Sequence, residues 1–382
     1  MKKLSLNKKI LRIWAFWPEG IKYHDHHLSD AMHQDGVKTL FACPIYAGKD
    51  YKSYSHNKDY SYDIFPMKFF SILDKPIPYN FLGFIKSINK FKPDTVHIYG
   101  LSNFTTYFTL FCLNLSSYDG EIFFNDHSDP TEKKSGFIAK IYYQLFKFLY
   151  KIFLNNKYKI VVPDDGSKSE LITRYGSHIN KSIIKIPLGF DSKVFNISKD
   201  NRSKDLPLRI GFAGKISSPK KIEKLLSAAQ KFKKDEVIFY VAGFANPPTD
   251  YQKNLINKIK EKNIDNIVIM DFINKASLLA DYYGKLDVAI FPGSISITTF
   301  EANGAGCPII LYESILGLEH RISSGRAYLF RTDQEMIKKI KHFINLKNET
   351  GINHEELSKA AIPFSWESIK MEYYSLYKWY VS

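Results

Sequence analysis

The chain has 382 residues, 45% hydrophobic and 24% charged, which excludes a disordered polypeptide and suggests two globular domains. Its formal net charge of +15 favours anionic partners: phosphorylated small molecules, nucleic acid or an anionic membrane surface. Cys43, Cys112 and Cys307, odd in number, widely spaced and without a C-x-x-C pair, argue against a disulfide framework or zinc site and fit a reducing, cytoplasmic compartment, and no run of about 18 uncharged apolar residues predicts a membrane-spanning helix.

Residues 11–16 read as a first strand and not as a signal peptide, because the apolar run is short and ends in Pro18-Glu19-Gly20. A helical pattern runs through Leu28, Ala31 and Met32 to Gly36, and 39–42 is the next strand. A helix over 81–88 and strands over 95–99, 121–124 and 159–162 continue the alternation. Between them, 137–153 mixes aromatic and aliphatic residues with Lys140, Lys147 and Lys151: a core-packing helix with solvated lysines, or a basic amphipathic helix on an anionic membrane. The polar stretch 196–205 separates the halves. The second half restarts with strands over 208–212, 237–242, 267–270, 288–291 and 308–312. Helices fall over 222–232, 251–263, 276–283 and 335–345, with a last one over 366–380. Strands alternating with helices predict βαβ units and parallel sheets.

Two loops in the second half suit an anion. Gly214-Lys215-Ile216-Ser217-Ser218-Pro219-Lys220 follows a strand and precedes a helix, so free backbone amides and two ammonium groups converge as a diphosphate requires. The bland alternative is a surface turn. The stretch from Pro292 to Pro308 leads from a strand through a small polar loop into a helix carrying Glu301, whose carboxylate can accept hydrogen bonds from two ribose hydroxyls. Thr298-x-x-Glu301 also fits a capping box, in which Glu301 serves only the backbone. Both loops are expected at the carboxyl ends of strands, where open α/β sheets bind ligands.

These segments, with Ile186-Pro187-Leu188-Gly189-Phe190-Asp191, Val241-Ala242-Gly243, Asp287-Val288, Glu301-Ala302 to Pro308-Ile309-Ile310 and Trp366, resemble in order the retaining group 1 (family 4) glycosyltransferases. The resemblance implies the α/β GT-B fold: two facing Rossmann-like domains with parallel sheets and a C-terminal helix crossing back to the first domain. The expected domains are 1–195 with 366–382 on the acceptor side, and 206–365 for the nucleotide sugar. By resemblance, Gly20, Gly214 and Gly243 line the donor. Lys215 and Lys220 hold its diphosphate, together with Ser296 and the backbone of Ile297, Thr298 and Thr299. Glu301 grips the ribose, Phe272 and Ile273 flank the base, and His127 is the active-site histidine. His97 resembles the end of the family's Asp-Val-Val-His strand. One departure stands out: the family's second Glu, eight positions before the ribose Glu, is Gly293 here, and Ser294 or Ser296 is the substitute at hand.

The implied function is transfer of a sugar from a nucleotide-diphosphate donor to an acceptor hydroxyl, without a metal or other cofactor, in bacterial surface polysaccharide or lipid-linked glycan synthesis. The expected partners are the nucleotide sugar and a glycan or lipid-linked acceptor, with peripheral contact to an anionic membrane at the inner face of the plasma membrane, and no nucleic acid. The alternatives are a catalytically impaired partner subunit and a nucleotide-sugar epimerase on the same scaffold. His24-Asp25-His26-His27 reads as a solvated helix start or an acceptor contact and not as a metal site, and Asp164-Asp165 as a helix cap.

Overall fold

The computed structural model describes residues 3–4, 7–15, 24–44, 61–72, 75–101, 103–127, 144, 148, 158–197, 202, 205, 207–313, 317–322 and 325–381. The Pro18-Glu19-Gly20 loop lies outside them, as does the helix expected over 137–153 apart from Gln144 and Phe148. The chain divides into two compact units, Met1–Pro187 with Ile369–Ser382, and Leu188–Ser368.

In the first unit the short strand β1 (Lys3–Leu4) precedes β2 (Lys9–Ile13), α1 (His24–His33), β3 (Lys38–Pro44), β4 (Asp63–Met67) and a hairpin of β5 (Phe69–Ile72) and β6 (Lys75–Pro78). Next come α2 (Phe81–Phe91), β7 (Thr95–Tyr99), α3 (Phe104–Leu115), β8 (Glu121–Asn125), β9 (Tyr158–Val162), α4 (Asp165–Tyr175) and β10 (Ile183–Lys185). Seven strands form one parallel sheet in the order β10-β9-β8-β7-β2-β3-β4. Its strands are near-continuous apolar runs because helices can cover both faces of a parallel sheet. Leu11, Ile98, Phe124 and Ile160 lie wholly inside. Asp164 caps α4, accepting from the Ser167 amide at 2.8 Å.

The second unit holds β11 (Leu208–Ala213), α5 (Glu223–Ala229), β12 (Val237–Phe244), α6 (Asp250–Glu261), β13 (Ile267–Asp271) and α7 (Ala276–Tyr283). It continues with β14 (Val288–Phe291), α8 (Thr298–Gly304), β15 (Ile309–Tyr312), β16 (Ala327–Phe330), α9 (Asp333–Glu349) and α10 (His354–Ala361). Its parallel sheet has the order β13-β12-β11-β14-β15-β16. The last helix, α11 (Trp366–Leu376), begins in the second unit and ends in the first, where Lys370 Nζ donates to the Ala31 carbonyl at 3.2 Å and Tyr374 to Asp35 at 2.9 Å. A final pair, β17 (Tyr380–Val381), runs antiparallel to β1.

Each sheet reverses its winding once, between β2 and β7 in the first unit and between β11 and β14 in the second. Such points leave a crevice at the carboxyl ends of the strands, the usual ligand position in open α/β sheets. The three cysteines are buried and form no disulfide. No helix among the described residues is long and apolar enough to cross a membrane.

Candidate functional site

The two loops singled out in the second unit leave β11 and β14, the strands that flank its switch point. β11 is followed directly by Gly214, whose φ of +149° suits glycine. Gly243, at φ +131° near the end of β12, packs directly on it: a Cβ there would come 1.7 Å from the Gly214 carbonyl oxygen. The Ile216 amide donates to the Gly243 carbonyl at 3.4 Å, and Gln252, in the first turn of α6, donates from Nε2 to the Ile216 carbonyl at 3.2 Å. The turn is therefore held by backbone and by one buried amide. Lys215 projects from it, exposed and without an ion pair among the described residues.

Lys220 reaches the second loop. Its Nζ donates to the carbonyls of Ser294 at 2.8 Å and Ile295 at 3.3 Å, while the Ser294 amide donates to the Pro219 carbonyl at 2.8 Å. The loops are thus joined into one rim. Gly293 is part of the joint: a Cβ at that position would lie 2.2 Å from the Pro219 carbonyl oxygen and 2.6 Å from the Lys220 carbonyl carbon. In this arrangement the position has no room for the side chain that the family pattern places there.

Beyond the joint, Ser296 and Thr298 share a hydroxyl hydrogen bond at 2.6 Å. Thr299 is fully buried, donates its amide to the Ser296 carbonyl at 3.2 Å, and accepts from Arg321 Nε at 2.8 Å through Oγ1. Thr299 therefore anchors the loop from inside. Ile297 precedes α8 without any side-chain cap, so the capping box at Thr298 and Glu301 is not formed. Glu301 Oε2 is buried and has no hydrogen-bond partner, and burial raises the carboxyl pKa to about 7. The nearby Tyr283 phenol is held well above its ordinary pKa, first by burial and then by the Glu301 charge. A carboxyl in this state gains most from hydroxyl donors brought to it.

Phe272 and Ile273 follow β13 and line a cavity of about 740 Å³ with Asp271, Leu278, Asp281 and Lys285. Lys215, Lys220 and Glu301 do not line that cavity. Gly20 lies outside the described residues.

In the first unit His127, just beyond β8, is half-buried, and its ring centroid lies 3.9 Å from that of His24. Burial first, and His24 second, hold its pKa well below the ordinary histidine value. The start of α1 is not solvated as expected: His24, Asp25 and His26 are buried. Asp25 Oδ1 accepts from Arg12 Nη1 at 2.9 Å and Asn125 Nδ2 at 2.9 Å, with His24 Nε2 at 3.2 Å. Asp25 Oδ2 accepts from Trp14 Nε1 at 2.9 Å. Burial alone would raise the Asp25 pKa; His24 and Arg12 outweigh it and hold the carboxyl well below its usual value. Arg12 Nη1 also lies 3.3 Å from His97 Nδ1, and the Tyr377 hydroxyl 3.0 Å from the same nitrogen. Because a guanidinium can only donate, His97 accepts at Nδ1. Burial, then Arg12, lower its pKa to about 3. The histidine run in the sequence gives the residue types; only the meeting of β2, β7, β8 and α1 makes them a network. Among the described residues no group of three or more His, Cys, Asp or Glu is placed to hold a metal ion.

Two all-parallel sheets with interleaved helices are the architecture of GT-B glycosyltransferase structures. Residues 194–362 match the family described as "Glycosyl transferases group 1". Among solved structures, the chain is similar to a glycosyltransferase of Rickettsia africae, with 14% identity over 97% of this chain and 98% of that one and a TM-score of 0.76. It is similar to the sucrose-phosphate synthase of Thermosynechococcus elongatus, with 15% identity over 97% and 98% of the two chains and a TM-score of 0.69. It is also similar to Anabaena Alr3699/HepE, solved in complex with UDP and glucose, with 13% identity over 97% and 100% and a TM-score of 0.68. At these identities the likeness establishes the fold. The sequence finds no match among curated proteins.

Proposed function

We propose that the chain is a nucleotide-sugar-dependent glycosyltransferase that moves a hexosyl group to an acceptor hydroxyl with retention of configuration. The observation that carries this reading is the buried, unpartnered Glu301 Oε2 in the first turn of α8, next in sequence to a loop joined to the Gly214–Lys220 turn. Two adjacent ribose hydroxyls would donate to that carboxylate. Lys215, Lys220 and the amides before α8 would take the diphosphate. In the transfer, the bond from the anomeric carbon to the diphosphate oxygen breaks, the bond to the acceptor oxygen forms, and the acceptor's hydroxyl proton passes to the leaving diphosphate. The two ammonium groups stabilise the charge that develops on the leaving diphosphate. The acceptor is a glycan or lipid-linked glycan at the inner membrane face, as in surface polysaccharide synthesis. That UDP-glucose binds Anabaena Alr3699/HepE, of like fold, supports the donor class.

Thermal-shift screening against UDP-, GDP-, ADP- and dTDP-sugars tests this, because a ligand that binds only the folded chain raises its stability. One or more should raise Tm for the wild type and not for Glu301→Ala; no response to any would overturn the reading. A second reading, a partner subunit impaired in catalysis, is favoured by Gly293. Binding without any donor turnover, with or without acceptor, would select it.

A further inference from the structure

The outward face of α3 has the wrong chemistry for a free surface helix. None of its twelve residues is charged. It buries Thr105, Thr106 and Thr109, with Thr105 Oγ1 and Thr109 Oγ1 lacking any partner, and exposes Phe104 at 42%, Phe111 at 45% and Leu115 at 53%. With Phe108, half-buried, these recur at spacings of four, three and four, so they form one stripe along the helix. The stripe is widened by its neighbours. α2 runs alongside, its Phe84 ring 5.8 Å from that of Phe108 and its Asn89 Oδ1 accepting from the Ser117 amide at 3.2 Å. Leu82, 72% exposed, stands on α2. The β5–β6 hairpin packs on α3 and presents the exposed, stacked rings of Phe70 and Tyr79. Isolated exposed apolar residues are ordinary; a contiguous patch marks an interaction surface.

The charged residues of α2 and α3 are lysines alone. Lys86 and Lys90 on α2 and Lys68 at the hairpin base are exposed and make no ion pair among the described residues. The first unit carries 28 Lys and Arg against 18 Asp and Glu. We infer that the α2–α3–hairpin face docks on an anionic lipid bilayer, the aromatic stripe entering the interface and the lysines meeting lipid phosphates. A two-fold pairing of two copies through this face would set the same lysines against one another. The inference deepens the membrane part of the function proposed above and is independent of the donor chemistry.

Co-sedimentation with vesicles, with no nucleotide present, tests it. The chain should pellet with phosphatidylcholine vesicles containing about 30 mol% phosphatidylglycerol and much less with pure phosphatidylcholine. Each of Lys86→Gln and Lys90→Gln should weaken binding about fivefold. Phe104→Ser/Phe111→Ser should abolish it while leaving Tm and circular dichroism unchanged. Absence of wild-type binding to anionic vesicles, unchanged binding by the Phe double variant, or a solution dimer that this variant dissolves would each overturn the proposal. A failure here leaves the donor thermal shifts untouched, and the reverse holds.

Discussion

The Pro219 carbonyl oxygen stands 2.2 Å from where a Cβ on Gly293 would lie, so the two loops of the rim meet backbone to backbone. Any side chain at 293 must push the loops apart. Gly293→Ala should cost about 1–3 kcal/mol, read as a lower urea midpoint, and Gly293→Glu at least as much. Gly293→Glu should also weaken nucleotide binding, because opening the joint separates Lys220 from Ser294. Tighter binding by this variant would show that the joint yields freely.

Lys215 and Lys220 should separate in a simple comparison. Lys220 ties two carbonyls of the neighbouring loop, whereas Lys215 is exposed. Lys220→Ala should lower Tm of the ligand-free protein and weaken nucleotide binding. Lys215→Ala should leave Tm alone and weaken binding by about tenfold, the order expected for one charge-assisted contact. Thermal denaturation with isothermal titration calorimetry reads both.

Glu301 makes the second unit's stability fall as pH rises. Its folded pKa of about 7 lies above the ordinary 4.5, so the folded state holds a proton that the unfolded state releases between those values. Stability is fully present below pH 4.5 and is lost as pH rises through 7. Glu301→Gln should remove this slope and add roughly 3 kcal/mol at pH 8. A nucleotide whose hydroxyls favour the ionised carboxylate should release a proton on binding near pH 6–7. Calorimetry in buffers of different ionisation enthalpy measures that release, and its absence would count against the ribose contact.

The first unit should respond in the opposite sense. His26 and His97 are held to about 3, chiefly by burial, so they take up protons mainly on unfolding. The stability they contribute is whole above pH 6.5 and falls as pH drops toward 3. Two such groups imply a loss of about 4 kcal/mol by pH 5. Hydrogen exchange should show β2 and β7 losing protection on acidification. Constant protection down to pH 5 would mean that these histidines are not kept neutral.

The alternating apolar runs revealed both parallel sheets, and the Gly214–Lys220 turn and Glu301 could be picked out because their neighbours in sequence supply the chemistry. Other parts were not legible. The helix α3 has no polar–apolar alternation to read, since it turns threonines inward and phenylalanines outward. The β5–β6 hairpin is masked by Pro76 and Pro78, which argue against a strand unless it lies at an edge. The Asp25 network joins residues 13 and 100 positions apart, and a polar run read locally looks like solvated surface. The Gly293 joint depends on two loops 74 residues apart lying side by side, which no local pattern encodes.

The buried thiols make the chain its own probe of opening. Burial keeps Cys43 protonated and pushes the Cys112 pKa up to about 12, so neither is nucleophilic while folded. Cys43 and Cys112 belong to the first unit and Cys307 to the second. The rate at which a maleimide labels each site therefore times the loosening of one body apart from the other, without any added reporter.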